Sequence, residues 1–340
     1  MLEQGLIQAY NTSSGQFNFA PLGLSLRAAG RGLKNLIVRF LTHELDQGYE
    51  LASKHLSPFF HSEFFDLSRC APKQQGHPFT IHQQIVELKQ AIRSGNWDLV
   101  YLLGLDRALE SGILNIEELD GACKTKPNHI ELIFSGTNLP QTLLDKADLV
   151  TNMVVKSFRD SESTGTSDSS FVEVVTGDGK GKTTYCLGKA LLASCLGLRC
   201  LFLQFIKSPM PYGETIAIER LPNCTIKTMG KGFVFRKDGK VGEKHQKAAR
   251  EAWEEFRRVL SSGHYKLIVL DEINIAIYYD LLEPKEVVNS IQKRPLGVHL
   301  ILSGRNAHPE IIKSADKVVE MQEVKHPFHR GIKARKGIEF

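Results

Sequence analysis

No stretch of this chain approaches the ~20 uninterrupted apolar residues that a membrane-spanning helix requires. Its start, Met1-Leu-Glu-Gln-Gly-Leu-Ile-Gln8, lacks the basic region and long apolar centre of a secretory leader. The expectation is a cytoplasmic protein with no membrane partner. Cysteine is scarce and scattered. Cys70, Cys123, Cys186, Cys195, Cys200 and Cys224 form no C-x-x-C pair and have no histidine at finger spacing, which points to buried or half-buried thiols. A large excess of one charge sign is missing as well. The 43 Lys and Arg against 38 Asp and Glu leave +5, too little for a general nucleic-acid binder, and a local anion site accounts for it equally well. What remains is an ordinary globular composition, 42% hydrophobic and 24% charged over 340 residues, enough for two domains of about 150 residues that each bury a core.

Phe171-Val-Glu-Val-Val-Thr-Gly-Asp-Gly-Lys-Gly-Lys-Thr-Thr184 runs from a β-branched strand pattern into a glycine- and lysine-rich loop. Gly177, Gly179 and Gly181, with Asp178 and Lys180 between them, let backbone N–H groups turn toward one nucleotide phosphate. Lys182 adds a mobile charge, and Thr183, followed by Thr184, offers a hydroxyl to a phosphate-bound Mg²⁺. Cys186-Leu-Gly-Lys-Ala-Leu-Leu-Ala193 continues with helical spacing, so a helix aims its positive end at the same place. Relative to G-x-x-x-x-G-K-[ST], Thr176 stands where the first glycine is usual. A surface turn is the plainer reading, and the strand before and helix after argue against it.

Residues 200–206 form an apolar run of strand length, and residues 245–260 put Ala249, Ala252, Trp253, Phe256 and Leu260 on one helical face. Tyr265-Lys-Leu-Ile-Val-Leu-Asp271-Glu272 is a buried strand closing on two carboxylates. Beside a phosphate loop, Asp271 and Glu272 are candidates to hold Mg²⁺; capping the next helix is their alternative. Val298–Leu302 is a further strand, ending at Ser303-Gly304-Arg305-Asn306. Strands that end in polar loops describe an open, mostly parallel sheet with its ligand at the carboxyl ends.

Residues 157–170 are the one long serine-rich run and read as a linker. It separates residues 1–156 from 171–340, and the two parts repeat. At an offset of 165, Leu22-Gly23 aligns with Leu187-Gly188, Gly32-Leu33 with Gly197-Leu198, and Phe40 with Phe205. At 168, Ser94-Gly95 aligns with Ser262-Gly263, Ser135-Gly136 with Ser303-Gly304, and Asn138 with Asn306. The chemistry does not repeat. Gln16-Phe-Asn-Phe19 lies under Gly181-Lys-Thr-Thr184, and Leu103-Gly104 under Asp271-Glu272. The first half therefore reads as a copy without a nucleotide site, with Phe17 and Phe19 filling the place of the loop.

Together with Gln204-Phe-Ile-Lys207, Gly213-Glu214, Met229-Gly-Lys-Gly-Phe233, Val269-Leu-Asp-Glu-Ile-Asn274, Ser303-Gly-Arg305 and the closing Lys325-His-Pro-Phe328 through Lys336-Gly-Ile-Glu-Phe340, the Thr-led loop resembles the P-loop type of ATP:cob(I)alamin adenosyltransferases over residues 171–340. The resemblance implies two tandem RecA-like three-layer α/β/α domains, the first lacking the P-loop. It implies transfer of the 5′-deoxyadenosyl group of ATP to the Co(I) of a reduced corrinoid, with release of triphosphate and with Mg²⁺ on Thr183 and Glu272. It also implies Arg305 at the nucleotide and a flavoprotein reductant as partner. Phe233 and Phe235, where the family usually reads Gly-Phe-Thr-Trp, would lie against the corrin, with core packing as the alternative. Leu192 replaces the arginine of the family's Ala-Leu-Arg-Ala, which leaves a phosphate contact in doubt, while Arg27 keeps the matching place in the first half. Unfused members are dimers, so the two halves are expected to form an internal pseudo-dimer. A RecA-like ATPase releasing phosphate and a non-catalytic corrinoid or nucleotide binder are the competing readings. His326 reads as a structural hydrogen-bonding residue.

Overall fold

The computed structural model describes residues 2–13, 15–40, 46–65, 78–158, 170–237 and 240–340. The first half runs β1 (Ile7–Thr12), α1 (Ala20–Gly30), β2 (Asn35–Arg39), α2 (Asp46–His55), β3 (Phe60–Phe64), α3 (Pro78–Ser94), β4 (Leu99–Leu103), α4 (Leu105–Glu110), α5 (Ile116–Thr125), β5 (Glu131–Thr137), α6 (Gln141–Lys146) and β6 (Leu149–Phe158). The second runs β7 (Val172–Thr176), α7 (Lys182–Cys195), β8 (Cys200–Gln204), α8 (Gly213–Ile218), β9 (Cys224–Thr228), the hairpin β10 (Arg236–Lys237) and β11 (Lys240–Val241), α9 (Glu243–Ser262), β12 (Leu267–Asp271), α10 (Ile273–Tyr278), α11 (Pro284–Gln292), β13 (His299–Ser303), α12 (Pro309–Ser314) and β14 (Lys317–Lys325).

β4 and most of β8, β12 and β13 read as apolar runs because helices cover both faces of the sheet. Leu267 and Val269 of β12 enter one core, and Ile268 and Leu270 enter another on the opposite side. Among the described residues, twelve strands from both halves form one sheet in the order β3-β2-β4-β5-β1-β6-β14-β7-β13-β12-β8-β9, and β10 and β11 pair only with each other. Read from its outer edge inward, each half has the same order. The α/β, mostly parallel character was legible in the strand and helix patterns; the merging of the halves into a single sheet was not. Within this sheet β6 and β14 alone pair antiparallel, with Met153 opposite Met321. Each is the last strand of its half, and such an edge satisfies its N–H and C=O groups wherever a matching edge is offered.

The linker boundary moves as a result. Ser157 and Phe158, expected in the linker, continue β6 and pair with Val318 and Lys317; most of the proposed linker and Cys70 lie outside the described residues. The remaining cysteines are free thiols, buried or half-buried.

One core spans both halves: Phe19, Leu22 and Leu26 of the first half pack with Tyr185, Leu191 and Leu192 of the second. On the opposite face the cores are separate, one for each half. The shared core brings α1 against α7 by reciprocal contacts. A Cβ on Gly23 would lie 1.7 Å from Thr184 O, and one on Gly188 would lie 2.2 Å from Phe19 O. Phe19 and Thr184 are themselves related by the 165-residue offset. A surface that meets its own copy in this way has the geometry of a two-fold interface. The alignment also pairs backbone conformations that ordinary residues avoid, such as Asn138 and Asn306 at φ 50 and 56°.

Candidate nucleotide site

The helix after β7 packs on one face of the sheet and the helix after β13 on the other, the arrangement at whose carboxyl strand ends ligands bind in open α/β sheets. The loop between β7 and α7 lies across β14. Cβ atoms on Gly177 or Gly179 would come 2.4 to 2.8 Å from the backbone of Met321 and Gln322, and Gly179 N–H donates to Met321 O at 2.7 Å. Gly181 enters α7 at φ +109°, a conformation only glycine adopts readily. Lys182 is buried and folds back to donate to Gly177 O and Gly179 O, both at 2.7 Å. Burial lowers its pKa to about 8, against the opposing pull of Glu272.

Thr183 Oγ1 donates to Asp271 Oδ1 at 3.0 Å. The same oxygen accepts from Ser303 Oγ at 2.7 Å, and Asp271 Oδ2 accepts from Gln204 Nε2 at 3.2 Å. Two strand ends and the first turn of α7 thus hold one fully buried carboxylate, and Thr228 Oγ1 fixes Gln204 in turn at 3.0 Å. Burial, and then the neighbouring Asp271, push the Glu272 carboxyl up to about 7. A threonine hydroxyl and two carboxylates are hard oxygen donors of the kind that hold Mg²⁺ beside a triphosphate, so these residues fit the ion the resemblance implies.

Glu272 has a left-handed backbone, φ 63°, and its counterpart Gly104 has φ 73°. The copy without acidic residues kept the turn and filled it with glycine, whereas the second half holds a glutamate there at a cost of about 1–2 kcal/mol. Glu272→Gly is therefore expected to raise the melting temperature while weakening Mg²⁺-dependent ATP binding. Thermal unfolding and nucleotide titration of the same preparation check this; a lower melting temperature contradicts the strain argument.

The other candidates divide. Arg305 is exposed and donates to Asp178 O at 3.0 Å, which ties the loop after β13 to the glycine-rich loop. Lys180 is paired with Glu339 at 2.9 Å. Thr184 faces α1 and donates to Gly181 O, a structural placement within the loop. Phe233 and Phe235 are 93% and 66% exposed, which excludes core packing for both rings; Val234 between them packs inward. His326 Nδ1 accepts from Phe328 N–H at 3.0 Å and shapes a turn. Leu192 does not leave a gap at the phosphate loop. It is fully buried and faces Gly48 of the first half.

Ser303, Gln204 and Thr228 were not assigned roles from the sequence. Only their position at strand ends marked them, and their convergence on Asp271 needed the register of β8, β12 and β13. In the first half, Phe17 and Phe19 stack edge to face at 4.8 Å, and Phe19 packs on Tyr185 at 5.5 Å, so Phe19 builds the seam between the halves. The crevice at the strand ends of that half, about 330 Å³, is lined by Asn11, Asn138, Gln141, Asn152 and Lys325 among apolar residues. Lys325 Nζ already serves Leu144 O and Asp145 O, a poor cradle for a triphosphate.

The chain is similar to known proteins over its whole length. The family described as ATP:corrinoid adenosyltransferase BtuR/CobO/CobP matches residues 3–163 and 168–340. A corrinoid adenosyltransferase of Sinorhizobium sp. is 37% identical over 180 residues, covering 52% of this chain and 83% of the relative. One of Pseudomonas aeruginosa is 38% identical over 168 residues, 49% of this chain and 82% of the relative. An uncharacterised protein of Nostoc sp. is 28% identical across 99% of this chain and 95% of its own length. No helix among the described residues is long and apolar enough to cross a membrane. With both halves matched, the chain belongs to the ATP:corrinoid adenosyltransferase family.

Proposed function

We propose that this enzyme transfers the 5′-deoxyadenosyl group of ATP to the Co(I) of a reduced corrinoid, forming adenosylcobalamin or an adenosylated precursor, at one site per chain. The observation that carries the reading is the convergence of Lys182, Thr183, Asp271 and Glu272 at the end of the sheet. In this reaction the Co–C5′ bond forms as the C5′–O5′ bond breaks, and the electron pair leaves on the triphosphate. Co(I) is itself the nucleophile, so the protein's task is to align C5′ and stabilise the departing anion. Lys182 and the N–H groups at the start of α7 suit the anion, and Arg305 closes over the loop. Mg²⁺, when held by Thr183, Glu272 and Asp271, supplies further neutralisation of the triphosphate.

The RecA-like character of each half belongs to the same proposal, as does the pseudo-dimer. The first half, residues 1–156, would stand in for a partner subunit, with the reciprocal α1–α7 contacts and the β6–β14 pairing in support. Incubation with Mg-ATP and chemically reduced corrinoid tests the reading through the cobalt–carbon product spectrum and the phosphate product. Triphosphate supports adenosyl transfer, inorganic phosphate an ATPase, and no turnover a binding protein.

The exposed Phe233 and Phe235 suit the face of a corrin, where they would help to remove its lower axial ligand before reduction. Phe233→Ala is expected to slow turnover from Co(II) under mild reductant more than turnover from pre-reduced Co(I). Equal losses in the two assays would remove that role.

A further inference from the structure

Arg27 belongs to α1, in the half without a phosphate loop, and its side chain hydrogen-bonds across to the second half. Its Nε donates to Glu214 Oε2 at 2.8 Å, and its Nη1 donates to Ile338 O at 3.0 Å and Glu339 O at 3.1 Å. Glu214 is fully buried, and its second oxygen holds Lys207, which follows β8 at the carboxyl end of the sheet. The carboxylate of Glu339 accepts from Lys180 Nζ in the phosphate loop at 2.9 Å and from Arg335 N–H at 2.7 Å. Arg335 in turn makes a two-pronged pair with buried Glu131 of the first half, at 2.7 and 3.0 Å. Two routes therefore run from Arg27 to cations of the second half, one ending at Lys207 and the other at Lys180.

The reciprocal position lacks this device. Leu192, the counterpart of Arg27, faces Gly48, just as Arg27 faces Gly213. Where Glu214 follows Gly213, Tyr49 follows Gly48. The ion pair was kept in the direction that serves the half with the phosphate loop and replaced by apolar groups in the other.

We infer that Arg27 is a positioning residue supplied by the first half, orienting Lys207 through Glu214 and tethering residues 335–339 so that Glu339 holds Lys180 in the phosphate loop. This rests on residues 176–184 being the nucleotide site, and it does not depend on which reaction follows.

The test uses the full chain with Arg27→Met, Arg27→Lys, Glu339→Gln and the Arg27→Met/Glu339→Gln pair, each checked by thermal unfolding. Arg27→Met/Glu214→Gln, which removes both buried charges, serves if Arg27→Met alone does not fold. Mg-ATP affinity and the rate of tryptic cleavage at Arg335 and Lys336 are the readouts. Arg27→Met and Glu339→Gln should each weaken ATP binding by roughly tenfold, with little further loss in the pair because they share one route. Arg27→Met should also speed cleavage, and Arg27→Lys should recover part of both effects. Folded variants with wild-type ATP affinity, or lowered melting temperature as the only change, overturn the inference, as do fully additive losses. If the wild-type chain binds no ATP, both this inference and the proposed function fail. ATP binding without adenosyl transfer removes the reaction alone.

Discussion

Lys182→Ala is expected to lower adenosyl transfer by roughly 10²–10³-fold while the chain keeps its fold. The ammonium group contacts two carbonyls of its own loop, so its removal takes away charge from the proposed anion site while leaving the apolar cores intact. Burial lowers its pKa even with Glu272, Asp178 and Asp271 nearby, so a phosphate beside it would favour the charged form further. Thr183→Ala should give a loss of similar size. Asp271 would retain Ser303 and Gln204, so the carboxylate stays in place while the neighbouring hydroxyl ligand is gone. Initial rates alongside thermal unfolding decide the matter. Near wild-type turnover in a folded variant of either residue would place the nucleotide elsewhere.

The second large effect concerns the seam between the halves. Gly188→Leu puts a side chain where Phe19 O already sits, 2.2 Å from the new Cβ, and Gly23→Leu does the same against Thr184 O at 1.7 Å. Neither obstacle is a flexible side-chain end, so α1 and α7 must separate, at a cost of about 1–3 kcal/mol or more. Lys182 and Thr183 form the first turn of α7, and the displacement reaches the site directly. Both substitutions are expected to lower melting temperature and ATP affinity together, although Gly23 lies in the half without a phosphate loop. Residues 165–340 expressed alone should self-associate, aggregate or lose activity, since α7 is uncovered and β14 becomes a free edge. A fully active monomeric fragment, or two equivalent ATP sites per chain by calorimetry, would remove the internal-partner reading.

The candidate phosphate loop stood out in the sequence because the chemistry proposed for it is local. Gly177 to Thr184 are contiguous, and glycine, lysine and threonine each contribute through the backbone or a short reach. The repeat was legible for a related reason: turn positions such as Gly32 and Gly197, or Asn138 and Asn306, demand particular backbone angles, and residue type records that demand. Asp271 and Glu272 stood out as charges at the end of an apolar strand.

Long-range pairing leaves no such record. Nothing in the composition of β6 or β14 says that they will meet edge to edge, because any strand of suitable length offers the same N–H and C=O groups. The reach of Arg27 was hidden likewise. Its place in the repeat invited comparison with Leu192, but Glu214, Ile338 and Glu339 lie 187, 311 and 312 residues away. Sequence by itself determined the strand and helix patterns, the glycine- and lysine-rich loop of residues 176–184 and its absence from the first half, because each depends on neighbouring residues. Tertiary structure alone decided the single sheet, the shared core, the four-residue hold on Asp271 by Gln204, Thr183 and Ser303 with Thr228 behind, and the reach of Arg27 from one half to Glu214, Ile338 and Glu339 of the other. Those are set by which surfaces bury each other once both halves have formed.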